Sequence, residues 1–282
     1  MNLIYQCFVT TGENGYKEDD VSRWFGNTDD EKLLEASKNS VKKYAENIGC
    51  DYIFQDKPDL PKDKIFNKNF MKYLWCMALC EEKFDEYEWI LHIDSDIVMK
   101  SPEKLPNIFN EIDKTKDFHA VNEPIGMKDY YNDPYQTTRL CLEAIKDRAY
   151  IYDFYHKLYD QMHTGVWIAN RKCRKLFREN WVNTLKNKKT LDESKSRYPR
   201  PGLAYTDQPL INGMIHKLGI SYSFLHCKWN ATCGSMRPDF LKNEAYALHY
   251  AGPRAKIMFK YPELLGKTHL THMFYEHLKD LI

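Results

Sequence analysis

The chain has 282 residues, of which 43% are hydrophobic and 29% are charged, and its formal net charge is +1. This balance of charge argues against binding to nucleic acid through a broad basic surface, and an aromatic content of 14% excludes an intrinsically disordered chain. No run of 18 apolar residues is present, so we expect no transmembrane segment. The first residues, MNLIYQCFVTTGENG, lack the features of a signal peptide. We therefore expect a cytoplasmic protein.

The first half of the sequence alternates predicted strands with predicted helices. The strands are predicted over 3–9, 52–54 and 88–93, and the helices over 28–48 and 67–82. This alternation indicates right-handed crossovers and an α/β fold with a mostly parallel central sheet flanked by helices. Ligands of such sheets bind beyond the carboxyl ends of the strands.

The second half is more mixed. Strands are predicted over 118–122, 166–169, 220–225 and 244–250, helices over 171–185 and 208–218, and a polar loop over 187–202. No linker separates two regions of different composition, which predicts a single domain over 1–282. Within it we distinguish a nucleotide-binding half over 1–122, an acceptor and catalytic half over 123–260, and a C-terminal helix over 261–282.

Eight cysteines form no CxxC pair and no zinc-binding pattern. Most of them lie in apolar stretches, which indicates reduced, buried thiols, as in cytoplasmic proteins. Cys227 and Cys233 are the pair to test first for a disulfide bond.

An acidic cluster, Asp94-Ser95-Asp96, directly follows the third predicted strand. Two carboxylates at such a strand end can converge on one divalent cation, and oxygen ligands suit magnesium or manganese. The alternative is an aspartate pair that caps a turn. Because apolar residues flank the pair on both sides, its burial without a cation would be costly, and this favours a metal site.

Four segments resemble, in the same order, conserved elements of glycosyltransferases with the GT-A fold. The similarity is to the retaining families that contain glycogenin and the lipopolysaccharide galactosyltransferases, and to plant and yeast xylosyl-, galactosyl- and mannosyltransferases. The segments are YEWILHIDSDIVM at 87–99, HTGVWIAN at 163–170, DQPLIN at 207–212 and HYAGP at 249–253. Phe70-x-Lys72 also resembles the W-x-K element of these families. The resemblance covers residues 3–256 and implies a GT-A fold. Because no membrane anchor or signal like that of the Golgi relatives is expected here, we also expect a cytoplasmic enzyme of a bacterial cell or of a virus-infected host cell.

The resemblance implies a bound manganese ion (Mn²⁺), or magnesium, held by Asp94, Asp96 and His249. An imidazole ligand favours manganese. Contacts to the nucleotide sugar are implied at Thr10, Thr11, Lys72, Asp94, Ser95, Gly252, Arg254 and Lys256. The families place a lysine where this sequence has Ala255, so the phosphate contact falls on Lys256 or on Arg254, with Lys256 favoured.

For the reaction, the resemblance implies that Gln208 lies on the face of the sugar opposite the leaving group and that anomeric configuration is retained. Asp207 is a candidate general base of an inverting enzyme, and this alternative stays open. His163 and Thr164 are candidate acceptor contacts. The implied donors are UDP-galactose, UDP-glucose and UDP-xylose, and the acceptor is an oligosaccharide or a glycoconjugate.

Two other functions are weighed against this one. A nucleotidyltransferase would need a glycine-rich, basic loop after the first strand, where this chain has the acidic segment TTGENGYKEDD. A non-catalytic module that binds sugar nucleotides or glycans would not need Asp94, Asp96, Gln208 and His249 together.

Overall fold

The computed structural model describes residues 1–8, 27–55, 82–122, 162–186, 218–233, 236–251 and 258–262, with Ile211, Ile215 and Leu265. The predicted loop over 187–202 and most of the helices predicted over 67–82, 208–218 and 261–282 lie outside these ranges. The division of the chain at 122 and 260 stays a prediction.

Nine strands and three α-helices are formed by the described residues. The strands are β1 Asn2–Cys7, β2 Asp51–Gln55, β3 Trp89–Ile93, β4 Ile97–Met99, β5 Phe118–Asn122, β6 Met162–Asn170, β7 Tyr222–Leu225, β8 Ala231–Thr232 and β9 Ala247–His249. The helices are α1 Asn27–Ile48, α2 Arg171–Lys186 and α3 Pro238–Asn243. None of these helices is long and apolar enough to cross a bilayer.

Six strands form the main sheet, in the order β2-β1-β3-β6-β5-β7. β1 pairs in parallel with β2 and β3, and β5 pairs in parallel with β7. β6 is antiparallel to both of its neighbours, β3 and β5. The prediction of a mostly parallel sheet flanked by helices is confirmed. Because β6 runs against β3, its amino-terminal half lies beside the carboxyl end of β3, where the acidic cluster follows.

A smaller sheet, in the order β4-β9-β8, was not predicted. The strand predicted over 244–250 is present only as β9, which pairs antiparallel with β4 and parallel with β8. β4 directly follows the acidic cluster, and its Ile97 lies opposite His249. This pairing links the end of the main sheet to the carboxyl-terminal part of the chain.

The two faces of the main sheet are covered by different helices. Leu33, Val41 and Tyr44 of α1 pack in one buried cluster with Leu91 and Ile93 of β3. Residues that point to the other face pack with α2, in a cluster of Tyr5, Ile90, Phe118, Trp167, Cys173 and Phe177. The helix α1 ends at Ile48, and Gly49 follows with a φ of +68°, a conformation that glycine adopts without strain.

Five cysteines lie in the described ranges, and all five are free thiols. Cys227 and Cys233 are both buried and form no disulfide bond. Burial raises the pKa of Cys227 to about 11, so this thiol stays protonated at neutral pH. The prediction of reduced thiols is confirmed for these five residues.

Arg174 of α2 is a fully buried charge that fixes the start of β3. Its guanidinium donates hydrogen bonds to the backbone carbonyl oxygens of Phe84, Tyr87, Glu88 and Ala169. Burial lowers the pKa of Arg174 to about 10, which still leaves the group charged at neutral pH. Together with Arg171 and Arg178, which bond to Glu86 and Asp85, this side chain holds the segment that leads into β3 and the acidic cluster.

His119 of β5 gives the fold a pH-dependent stability. Its Nδ1 lies 2.7 Å from the Ser223 hydroxyl, and burial lowers its pKa from 6.5 to about 4. Between these two pH values the unfolded chain binds a proton at His119 that the folded chain does not. The free energy of unfolding therefore falls as the pH drops from about 6.5 to about 4, and this contribution is complete above about 6.5.

We expect the variant His119→Gln to show a weaker pH dependence in this window, because one proton fewer is taken up on unfolding. Urea denaturation of both proteins at a series of pH values from 4 to 7 measures the difference in slope. Equal slopes would show that folding does not lower the pKa of His119.

Candidate metal-binding site

Asp94, Asp96 and His249 bring their side chains together at the edge of the main sheet. One ligand atom from each residue lies within 4.8 Å of the other two. The Nε2 atom of His249 is 3.2 Å from Asp96 Oδ1 and 4.0 Å from Asp94 Oδ2. The imidazole is almost fully buried, at 4% exposed, while the Asp94 and Asp96 side chains are 19% and 28% exposed. The site therefore opens to solvent on the side of its carboxylates.

Backbone hydrogen bonds bring the three residues together. The Asp94 N–H donates to the Gly165 carbonyl at 2.8 Å, which ties the acidic cluster to β6. The Ile97 N–H donates to the Asp94 carbonyl at 3.2 Å and closes the turn between the two aspartates. The Tyr250 N–H donates to the Asp96 carbonyl at 3.0 Å, next to the pairing of Ile97 with His249. The positions of the ligands thus follow from the backbone of β3, β4, β6 and β9.

Buried polar side chains of β1 and α1 also stabilise this turn. The Gln6 amide donates to the Asp94 carbonyl at 3.2 Å and to the Ser37 hydroxyl at 3.0 Å. Ser37 in turn donates to the Ile97 carbonyl at 2.6 Å, and the Tyr52 hydroxyl donates to Gln6 Oε1 at 2.7 Å. One end of the turn, at Asp94, is therefore bonded to β1, and the other end, at Ile97, is bonded to α1.

His92 supports Asp94 directly. Its Nε2 atom lies 3.1 Å from Asp94 Oδ1, and its ring stacks on Trp167 with 5.1 Å between the ring centroids. The other carboxylate oxygen, Oδ2, faces His249. His92 was not predicted as a site residue. Its position in β3, two residues before Asp94, was the available signal, because alternate residues of a strand point to the same face.

His249 is flanked by Gly165, His163 and Asn230. A Cβ atom at Gly165 would lie 2.6 Å from His249 Cε1 and 2.8 Å from His249 Nδ1, so only glycine leaves room for the imidazole. The rings of His163 and His249 meet edge to face, with centroids 5.0 Å apart. Burial lowers the pKa of His163 to about 3, with the charge of a protonated His249 as a further cause. His163 is therefore neutral at physiological pH.

The donor set fits a hard or borderline divalent cation. Two carboxylates and one imidazole nitrogen face a common centre, and a neutral imidazole would direct its lone pair at the Asp96 carboxylate only 3.2 Å away. Two acceptors at that distance repel each other unless a proton or a cation lies between them. Manganese accepts both oxygen and imidazole ligands, and these three side chains leave coordination positions for other oxygen ligands.

The predicted site residues are only partly in the described ranges. Those described are Asp94, Ser95, Asp96, His163, Thr164 and His249. Ser95 lies in the turn between the aspartates, His163 lies against His249, and Thr164 is buried in β6. The donor and acceptor roles of these residues stay predictions. Those outside the described ranges are Thr10, Thr11, Lys72, Asp207, Gln208, Gly252, Arg254 and Lys256.

Comparisons with known proteins give matches among solved structures. No protein-family model and no curated protein matches the sequence. A glycosyltransferase involved in the glycosylation of the major capsid of PBCV-1 is 14% identical, with 89% of this chain and 94% of that chain covered and a TM-score of 0.49. Mouse xyloside xylosyltransferase 1 is 13% identical, with coverage of 88% and 97% and a TM-score of 0.45.

A third similar structure is that of the bifunctional glycosyltransferase WbbM. It is 13% identical, its TM-score is 0.45, and the match covers 88% of this chain but 45% of that chain.

Proposed function

We propose that this protein is a metal-dependent glycosyltransferase that transfers a sugar from a UDP-sugar to a hydroxyl group of an oligosaccharide or glycoconjugate. The observation that supports this most is the meeting of Asp94, Asp96 and His249 at the edge of the sheet. The sequence expectation named these same three residues as ligands of Mn²⁺ or Mg²⁺. The proposed sugars are galactose, glucose and xylose. We also propose that the protein is cytoplasmic, as expected from the sequence.

In this proposal Asp94, Asp96 and His249 hold the metal ion. When bound, the ion neutralises negative charge on the diphosphate leaving group, which is the main electrostatic requirement of the reaction. Lys72 and either Lys256 or Arg254 add positive charge at the phosphates, and Gly252 leaves room for them. Thr10 and Thr11 contact the nucleotide, with Ser95 between the two aspartates, and His163 and Thr164 contact the acceptor.

We further propose that the reaction retains anomeric configuration. The bond between the sugar C1 and the phosphate oxygen breaks, and the acceptor oxygen bonds to C1 on the same face. The acceptor proton passes to the phosphate oxygen that leaves. Gln208 lies on the opposite face of the sugar in this scheme, where it is a poor nucleophile. If Asp207 instead removes the acceptor proton, the product has the inverted configuration.

The test is the release of nucleotide from a panel of UDP- and GDP-sugars in the presence of Mn²⁺, Mg²⁺ or EDTA. We expect UDP release from at least one of UDP-galactose, UDP-glucose and UDP-xylose with Mn²⁺, and none with EDTA. The variant His249→Ala serves as the control for contaminating hydrolases. No release from any donor, together with nucleotide binding that EDTA does not change, would contradict the proposal.

The stereochemical part of the proposal needs a product. Once a donor and an acceptor are known, NMR of the new linkage gives its anomeric configuration. Retention supports the position proposed for Gln208. An inverted linkage would contradict that position and favour Asp207 as the general base.

A further inference from the structure

Asn230 connects the two histidines next to the candidate metal site. Its side chain is buried, with 1% of the residue exposed. The Oδ1 atom lies 2.8 Å from Nδ1 of His249, and the Nδ2 atom lies 2.9 Å from Nδ1 of His163. The amide therefore bridges His163 in β6 and His249 in β9.

The direction of each hydrogen bond in this bridge follows from one backbone group. The Gly165 N–H, which can only donate, points at Nδ1 of His163 at 3.2 Å. Nδ1 of His163 must therefore be an acceptor, so the Asn230 group that faces it must be the NH₂ group. The carbonyl oxygen of Asn230 then faces His249, and Nδ1 of His249 must carry a proton in order to donate to it.

This assignment fixes the chemistry of the other His249 nitrogen. A neutral imidazole with its proton on Nδ1 has its lone pair on Nε2, and Nε2 is the atom that lies 3.2 Å from Asp96 Oδ1. The lone pair therefore points into the space between the three candidate ligands. With the opposite tautomer, an N–H group would point there, and His249 could not bind a cation.

We propose that Asn230 is a positioning residue that selects the tautomer of His249 needed to bind a divalent cation, with its own orientation set by His163 and the Gly165 N–H. This inference rests on the proposed function, because it assumes that a cation is bound at this site. Partners of this kind behind a metal-binding histidine fix the ring and its tautomer, and their loss typically weakens metal binding by about 10–100-fold.

The first test needs no variant of Asn230 and no activity. Two-bond ¹H–¹⁵N correlation spectra of the metal-free, ¹⁵N-labelled protein show which ring nitrogen of each histidine carries the proton, and the variants His163→Gln and His249→Gln assign the signals. We expect the proton of His163 on Nε2. In His249 we expect a proton on Nδ1, with a second proton on Nε2 where no cation separates this atom from the Asp96 carboxylate 3.2 Å away. A His249 ring without a proton on Nδ1 would overturn the proposal.

The second test measures the affinity for Mn²⁺ alone by calorimetry or electron paramagnetic resonance. Asn230→Leu removes both hydrogen bonds and is expected to weaken Mn²⁺ binding by about 10–100-fold. Asn230→Asp keeps an acceptor for the Nδ1 proton of His249 but places a second acceptor against Nδ1 of His163, so we expect it to weaken Mn²⁺ binding clearly less than Asn230→Leu does. If Asn230 only stabilised the structure, Asn230→Asp would not restore Mn²⁺ affinity, because aspartate cannot donate a hydrogen bond to His163.

The matched control is Asn170→Leu, at the other end of β6. Asn170 accepts a hydrogen bond from the Cys173 N–H and donates one to Asp117, so this variant also loses hydrogen bonds. We expect it to lose stability but to keep its Mn²⁺ affinity. Wild-type affinity in Asn230→Leu, or an equal loss in Asn230→Leu and Asn230→Asp, would overturn the inference. A wild-type protein that does not bind Mn²⁺ would instead overturn the proposed function.

Discussion

Asn in place of Asp96 is expected to abolish metal-dependent release of nucleotide from the donor. The amide has the shape of the carboxylate but lacks its negative charge, and Asp96 Oδ1 is the carboxylate atom nearest to His249 Nε2, at 3.2 Å. A metal ion contributes several kcal/mol to the stabilisation of a leaving phosphate, so we expect a loss of rate of at least about 100-fold. UDP release at saturating donor and the affinity for Mn²⁺ are the two measurements, and both should fall.

The control for this substitution is Asp239→Asn. Asp239 lies in the first turn of α3, its side chain is 63% exposed, and its carboxylate is 3.7 Å from Arg237. Removal of this exposed charge should leave rate, Mn²⁺ affinity and stability nearly unchanged. A normal rate in Asp96→Asn would show that Asp96 is not a ligand. If Asp96→Asn loses activity because it is unfolded, Asp96 would instead be a residue that caps the turn.

The strand before the acidic cluster is the part of the site that the sequence predicts best. Trp89–Ile93 is buried at every residue, so its signal is an apolar run interrupted only by His92, and the change to Asp94 marks its end sharply. The position of the aspartate pair at the end of this strand can therefore be predicted from the local sequence alone. Its meeting with His249 is different, because it was expected only from the resemblance to known glycosyltransferases.

The small sheet explains why that meeting could not be predicted from residue patterns. β4 and β9 are each three residues long, and β8 has two. Strands this short give almost no periodic signal, and their pairing joins parts of the chain that are far apart in sequence. The register that places Ile97 opposite His249 is a property of the folded chain, and it decides the geometry of the site.

Asn230 and Gly165 differ in how much the sequence shows. Asn230 lies in the segment KWNATCG, where asparagine is an ordinary turn residue, and its two histidine partners come from other strands. Gly165, by contrast, directly precedes the strand predicted over 166–169, and only the observed β6 places it inside a strand. A glycine at such a position indicates a bulge or the close approach of another group, and here that group is the imidazole of His249.

Gly165→Ala is expected to damage the metal site without changing a ligand. The added Cβ would lie 2.6 Å from His249 Cε1 and 2.8 Å from Nδ1, both far inside van der Waals contact. The buried imidazole must shift, and displacement of a reacting or binding group by about 1 Å can cost roughly 100-fold in rate. We therefore expect Mn²⁺ affinity and UDP release to fall together in this variant, by up to about 100-fold.

A double-mutant cycle separates this steric effect from any general effect on β6. Overpacking of a buried site typically costs about 1–3 kcal/mol, so Gly165→Ala should lower the free energy of unfolding by that amount. In the His249→Ala background the imidazole is absent and the nearest remaining atom is Nδ2 of Asn230, at 3.2 Å, so the same substitution should cost less. Urea denaturation of the four proteins gives the coupling energy between the two positions. A cost that is the same in both backgrounds would show that Gly165 does not act through His249.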